Sequence, residues 1–213
     1  MKALYKNILY VYLIIAGVTM TNVAARSESI IKSRYLTKAD LVNIPIKAQT
    51  YFKSALDKYQ NKDYQKALSD LEQAIQIAPK WALPYSTRGA LKNIFKKDYK
   101  GAMTDYNRAI QIDPKLSSAY SNRGTLKMME FKDYQGALAD FNRAIELDPN
   151  YANAYANRST VKDVYLGDRA GATLDVQKAA TLYRQQGNIK KYQDGMEILK
   201  NWRQQEGKNS SIH

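Results

Sequence analysis

Three evenly spaced prolines, Pro79, Pro114 and Pro149, mark a repeat of 35 residues. The copies cover residues 48–79, 80–114, 115–149 and 150–184, which we call repeats 1 to 4, and the fourth lacks the proline. A period of about 20 to 50 residues predicts a stacked array of similar structural units. Such an array presents an extended surface for binding rather than a single reaction cleft. Two further columns keep the spacing, one of aspartate and one of alanine: Asp63, Asp98, Asp133 and Asp168, and Ala74, Ala109, Ala144 and Ala179.

The residue pattern within each repeat predicts two helices. In repeat 3, Ala137, Phe141 and Ala144 recur at i, i+4 and i+7, which places them on one face of a helix. The proline ends this helix because it cannot donate a backbone hydrogen bond. Before the helix, Asp133 lies in a polar turn from which it can cap the helix. Each repeat is therefore predicted to be a helical hairpin, and the fold class is all-α.

The order of these residues resembles that of the tetratricopeptide repeat (TPR) family over about residues 48–184. The resemblance implies a superhelical array of antiparallel hairpins with a concave groove built mainly from the first helix of each. The period of 35 exceeds the family's usual 34, and the spacing from Gly89 to Asp98 places the extra residue near the turn inside the hairpin. The matching columns are Gly89, Tyr99, Ala102, Tyr106, Ala109 and Pro114, and then Gly124, Tyr134, Ala137, Phe141, Ala144 and Pro149.

The same resemblance implies which residues line the groove. They are mostly amide and hydroxyl side chains, which suit hydrogen bonding to a peptide backbone. The alternative is a groove that is only solvated. The candidate residues are Ser86, Asn93, Ser121, Asn122, Thr125, Met128, Asn153, Asn157, Thr160 and Asp163.

TPR domains that hold the carboxylate tails of chaperones use a lysine three residues before the first glycine and an asparagine just after it. Here Ser86 and Ala90 stand at those two positions, and only Asn122 matches the rest of the pattern. The predicted partner is therefore a protein or peptide, but not a chaperone C-terminal tail.

Two columns of basic residues lie four positions apart on the first helices, and two hypotheses explain them. In the first, the arginines pair with a column of aspartates while the lysines extend their stems over the core. In the second, the cations form a ladder that binds acidic peptides or phosphates. The columns are Arg88, Arg123 and Arg158, Lys92, Lys127 and Lys162, and the aspartates Asp105, Asp140 and Asp175.

The formal net charge of +13 suggests a second function, attachment to an acidic polymer or an anionic membrane surface. Repeat 2 holds seven basic and three acidic residues, whereas repeats 1 and 3 are balanced, so the excess lies in repeat 2 and the flanks. This uneven distribution argues against nucleic acid as the partner.

The composition argues against an enzyme. The chain has no cysteine, and its one histidine is His213, so thiolate chemistry and the usual Ser/His/Asp machinery are missing. No phosphate-binding glycine loop or metal-ligand cluster is found. The sequence therefore predicts a non-enzymatic scaffold without cofactor or metal, and it leaves the oligomeric state undetermined.

The N-terminal residues have a different character from the repeats. Lys2 and Lys6 precede the apolar run 8–20, and small residues follow at Val23 and Ala25. This pattern predicts a signal peptide cleaved near Ala25 and export to a periplasm, a lumen or the exterior. An uncleaved membrane anchor through residues 8–25 is the alternative.

The segments that flank the repeats complete the predicted organisation. Residues 26–47 read as a linker, and residues 185–206 as a helix that caps the last repeat. The tail 207–213 is predicted to be disordered. Apolar residues at helical spacing define the buried face of the capping helix: Ile189, Tyr192, Met196, Leu199 and Trp202.

Overall fold

The computed structural model describes residues 43–210, with side chains through Gln205. The predicted signal peptide or anchor over 1–25 and most of the linker lie outside the described residues. Within these residues every regular element is helical, which confirms the all-α prediction. None of the described helices is long and apolar enough to cross a membrane. The chain divides into two compact units, an N-terminal unit that ends at Phe131 and a C-terminal unit that begins at Lys132.

The N-terminal unit contains five α-helices within the described chain, and α1 begins at Ile46 rather than at residue 48. Helix α1 packs against α2 and α3 against α4, so repeats 1 and 2 are hairpins. The helices α3 and α5, which open repeats 2 and 3, also contact each other directly. The helices are α1 Ile46–Gln60, α2 Tyr64–Ile77, α3 Ala82–Leu91, α4 Tyr99–Ile112 and α5 Ser117–Leu126.

In the C-terminal unit, α6 packs against α7, and α7 forms the hairpin of repeat 4 with α8. Helix α9 then packs on α8 at the position predicted for the capping helix, and it continues past the predicted end at 206. The helices are α6 Tyr134–Leu147, α7 Ala152–Thr160, α8 Arg169–Gln185 and α9 Ile189–Ser210.

The buried face of α9 differs in part from the predicted one. Leu199 and Trp202 are buried as predicted, but Ile189 and Met196 are exposed. Gly195 lies on the buried side instead, where an added Cβ would approach the Ala180 Cβ to 3.2 Å. The close approach of α9 and α8 thus depends on a residue without a side chain, which a search for apolar periodicity does not detect.

Small and large residues alternate in the core, as predicted. The alanines Ala102, Ala137 and Ala172 are fully buried, and so are the large side chains Tyr106 and Phe141. Gly89 shows how tight this contact is, because a Cβ there would lie 2.9 Å from the Tyr106 Cε1 atom. Side chains in such a core cannot grow without displacing their neighbours.

The extra residue of the period is found in π-helical turns at the ends of the first helices of repeats 2 to 4. These turns are Lys92–Lys96, Lys127–Phe131 and Val161–Tyr165. A π-turn closes a wider ring than an α-turn and so accommodates one more residue. This confirms the predicted position near the turn. Repeat 1 differs, because α1 has no π-helical segment and the Asp63 N–H donates to the carbonyl five residues earlier, Lys58, at 2.8 Å. The equivalent Asp98 N–H donates to the carbonyl six residues earlier, Lys92, at 3.0 Å.

Aspartate caps begin the second helices of repeats 2 to 4, as predicted. The carboxylates of Asp98, Asp133 and Asp168 accept the N–H groups of the glycines three residues later at 2.9, 2.9 and 2.8 Å. Glycine leaves room for this cap, because a Cβ at Gly136 would lie 2.0 Å from Asp133 Oδ2. In repeat 1 the glycine is replaced by Lys66, whose Nζ lies 2.8 Å from the Asp63 carboxylate.

The substitution Asp133→Ala is expected to lower the free energy of unfolding by about 1 kcal/mol, the usual cost of a lost N-cap. Asp63→Ala is the matched control, and a smaller loss is expected because the Asp63–Lys66 ion pair is exposed to solvent. Urea unfolding of both variants measures the difference. Equal losses would contradict the role assigned to the glycine at position 136.

Candidate partner-binding surface

A buried ion cluster joins the two helices of repeat 2. Arg88 donates from Nη2 to Asp105 Oδ1 at 2.6 Å and from Nε to Oδ2 at 2.9 Å. Lys92 Nζ lies 2.9 Å from the same carboxylate, whose side chain is only 4% exposed. The hydrogen bonds that Arg88 donates to Asp105 raise the pKa of Arg88. Both cations on this helix are therefore held by an internal carboxylate.

Repeat 4 contains the same cluster. Arg158 donates to Asp175 at 2.6 and 2.8 Å, and Lys162 Nζ lies 3.0 Å from the same carboxylate. In repeat 1 a single lysine replaces the arginine and lysine of this cluster, and Lys58 Nζ lies 2.6 Å from the Asp70 carboxylate. The hypothesis that arginine pairs with aspartate is thus confirmed in repeats 2 and 4. Its second part is wrong there, because the Lys92 and Lys162 ammonium groups bind the same carboxylates rather than water.

The arginines also bind the preceding repeat. Arg123 donates from Nη1 to Asn107 at 2.8 Å within the N-terminal unit, and Arg158 does the same to Asn142 at 2.9 Å within the C-terminal unit. Each guanidinium further lies over a tyrosine one helical turn earlier, for example 5.4 Å from the ring centroid of Tyr155. The arginine column therefore contacts both its own repeat and the repeat before it.

The ten predicted groove residues differ in exposure. Five are buried, and these are Ser86, Ser121, Met128, Asn157 and Thr160. The other five are half-buried, and these are Asn93, Asn122, Thr125, Asn153 and Asp163.

In the C-terminal unit, three of the predicted residues make internal hydrogen bonds. Asn153 accepts hydrogen bonds from the Tyr183 hydroxyl at 2.6 Å and from Lys191 Nζ at 3.2 Å. Asp163 forms an ion pair with Arg169, and the Thr160 hydroxyl donates to a backbone carbonyl of its own helix. These polar side chains of repeat 4 thus bind other groups within helices α7 to α9 and the turn between α7 and α8.

In the N-terminal unit, two predicted amides have no such partner. Asn93 lies on the π-turn after α3 and Asn122 lies on α5, and both are half-buried. Neither side chain makes a hydrogen bond with another residue of the described chain. Because α3 and α5 contact each other, Asn122 lies on the neighbour of the helix that Asn93 follows.

Aromatic contacts between the turns of successive hairpins were not predicted from the sequence. The rings of Tyr64 and Phe95 lie 5.0 Å apart, and those of Tyr134 and Tyr165 stack at 3.7 Å. Burial, and then the proximity of Tyr134, raise the pKa of Tyr165. The tyrosine column at the start of the second helices was visible in the sequence. Its aromatic partners Phe95 and Tyr165 occupy one position of the repeat, but repeat 3 has Glu130 there, which interrupts the column.

Two family models match the chain. The model described as TPR repeat matches residues 96–129, and the model described as tetratricopeptide repeat matches residues 48–80 and 117–151. No curated protein sequence matches the chain.

Solved structures similar to this chain are TPR domains. The Sgt2 TPR domain from Aspergillus fumigatus is 26% identical with a TM-score of 0.52, and the match covers 59% of this chain and 83% of that one. The Arabidopsis OM64 TPR domain is 25% identical with a TM-score of 0.52, with 55% and 96% covered. The first TPR of Spaghetti (RPAP3), bound to an HSP90 peptide, is 21% identical with a TM-score of 0.53, with 56% and 94% covered.

Proposed function

Because the chain is a tetratricopeptide repeat protein, we propose that it is a non-enzymatic scaffold that binds an extended segment of another protein. The proposed contact surface is the first-helix face of the N-terminal unit, at α3, its π-turn and α5. The observation that carries the proposal is the pair Asn93 and Asn122, which are half-buried and make no hydrogen bond within the described residues.

A half-buried amide without a hydrogen-bond partner costs free energy unless water or a ligand binds it. Each amide has a carbonyl acceptor and two N–H donors, so it can bind both the N–H and the C=O of an extended peptide. Peptide binding by other members of this fold supports the proposal, since the first TPR of Spaghetti was solved with a peptide bound.

The cations of the same helices support the prediction that the ligand is not a chaperone C-terminal tail. A terminal carboxylate requires an exposed cation, but the Arg88 and Lys92 side chains are only 18% and 23% exposed and both bind Asp105. The ligand we propose is therefore recognised through its backbone and not through a terminal charge.

A peptide selection followed by titration tests the surface. Peptides from a random display library are selected on the wild-type chain, and the best binder is titrated against Asn93→Ala with Asn122→Ala. We expect at least a tenfold loss of affinity, since each lost hydrogen bond costs about 0.5–1.5 kcal/mol. The peptide SRMEEVD, the HSP90 sequence bound by Spaghetti, is expected not to bind.

The matched control replaces two exposed amides on a second helix, Gln73→Ala with Gln76→Ala on α2. This variant is expected to bind the selected peptide with wild-type affinity. If both double variants lost peptide affinity equally, or if the asparagine variant lost none, the binding surface would lie elsewhere. Tight binding of SRMEEVD would overturn the exclusion of chaperone tails.

A further inference from the structure

Lysine occupies a backbone conformation that favours glycine in three of the four turns inside the hairpins. Lys62, Lys97 and Lys132 have φ values of 63°, 52° and 53°, whereas the fourth turn has Gly167 with φ 69°. A left-handed conformation is unfavourable for a residue with a Cβ. All three lysines are exposed, so they gain no burial in return. Their repeated use indicates that a cation is needed at these turns.

Exposed aromatic residues accompany these lysines in the N-terminal unit. Phe95 and Phe131 are each 46% exposed, and both belong to π-turns. Contact between the Tyr64 and Phe95 rings holds the turns of repeats 1 and 2 together. Glu130 lies near Tyr99, whose pKa is raised by burial and then by the charge of Glu130. We call this surface the turn edge: Lys62, Phe95, Lys96, Lys97 and Phe131.

Carboxylates also lie near the turn edge, but lysines outnumber them. Asp98 caps α4 through the Gly101 N–H, and Asp63 pairs with Lys66. Residues 62–66, 95–100 and 130–131 together hold five lysines and three carboxylates. The turn edge is therefore net positive, and it presents two phenylalanine rings to solvent.

We propose that the turn edge of the N-terminal unit binds the surface of an anionic phospholipid bilayer. Lysine ammonium groups interact favourably with lipid phosphates, and exposed phenylalanine rings insert at the boundary between headgroups and acyl chains. The net charge of +13 complements such a surface. This inference does not rest on the proposed peptide function, because no turn-edge residue is a proposed peptide contact, although Asn93 shares its π-turn with Phe95 and Lys96.

The first test replaces Lys62→Gly with Lys97→Gly in the full chain. Binding to vesicles of phosphatidylglycerol and phosphatidylcholine is compared with binding to phosphatidylcholine alone. The preference for anionic vesicles is expected to fall roughly fivefold for each lysine. The thermal midpoint should stay unchanged or rise by about 2–4 °C, because glycine adopts positive φ without strain. Loss of binding therefore cannot be attributed to unfolding.

The matched control removes two exposed lysines from the turns that join successive repeats, Lys80→Gln with Lys115→Gln. These turns lie at the opposite ends of the helices. The control should keep the wild-type preference for anionic vesicles. All variants retain residues 1–42, so any membrane insertion by that segment is common to them and is measured with the neutral vesicles.

The second test uses the absence of cysteine from the chain. A polarity-sensitive fluorophore attached at Lys96→Cys is expected to shift to the blue on anionic vesicles, whereas the same label at Lys80→Cys is not. The proposal would be overturned if the two double variants lost the preference for anionic vesicles equally. It would also be overturned if the emission of the fluorophore at position 96 did not shift. A glycine variant that keeps its vesicle preference but loses binding to polyglutamate or RNA would overturn it as well.

Discussion

Replacing Trp202 by alanine is expected to lower the free energy of unfolding by about 3–5 kcal/mol, the usual cost of truncating a buried tryptophan. Trp202 is 5% exposed and belongs to the buried cluster of the C-terminal unit with Ile198 and Leu199. The Arg169 guanidinium also lies 4.4 Å from the ring centroid, a stabilising cation–π contact. Removal of the ring therefore weakens the contact between α9 and α8.

The loss of stability in Trp202→Ala should concentrate in the last two helices, α8 and α9, because each element of a repeat array contacts mainly its neighbours. Amide hydrogen exchange is expected to accelerate in α9 and α8 well before it does in α6. Met196→Ala is the matched control on the same helix, and a change of less than about 0.5 kcal/mol is expected because Met196 is 42% exposed. Uniform acceleration through all helices would contradict a local capping role.

The second large effect is expected for Asp175→Ala, which should lower the free energy of unfolding by about 3–5 kcal/mol. The substitution removes the carboxylate that both cations of a buried ion cluster bind. Arg158 and Lys162 both bind this carboxylate, so its removal leaves two neighbouring cations with a side-chain exposure of about one fifth each. Urea unfolding measures the loss.

Two further variants separate the ion cluster from simple packing. Asp70→Ala is expected to cost less, because Asp70 binds a single lysine, Lys58, that is one third exposed and can turn to water. Arg158→Leu combined with Lys162→Leu and Asp175→Val should recover most of the loss, since apolar residues of similar volume can replace a buried ion cluster once no charge is left unpaired. If this triple variant is as unstable as Asp175→Ala, the cluster is not the source of the effect.

Most of the fold could be predicted because it repeats. The spacing of Ala137, Phe141 and Ala144 identified the second helix of repeat 3, and all three side chains are fully buried. Asp133 was identified as a cap by its position before that helix, and the pairing of Arg158 with Asp175 by the shared period of their columns. A contact that recurs in each repeat leaves the same residue types at the same spacing several times in one sequence.

Features that depend on a specific neighbour could not be predicted. Asn153 has the residue type of a groove position, but Tyr183 and Lys191 bind it from helices that follow much later in the chain. Met196 fitted an apolar stripe, yet α9 turns Gly195 toward α8. The positive φ of Lys97 was missed as well, although Gly167 occupies the same position in repeat 4 and indicates a conformation that favours glycine.

The arginine contacts have a consequence for how such a chain grows. Arg123 and Arg158 each bind an asparagine of the preceding repeat, and that asparagine occupies the same position in repeats 2 and 3. A duplication of one such repeat would supply both the donor and the acceptor for each new junction. The array can therefore lengthen or shorten by whole copies without a new kind of interface. Repeat 1 has Lys53 at the arginine position, so it lacks the guanidinium that binds a preceding repeat and suits the start of the series.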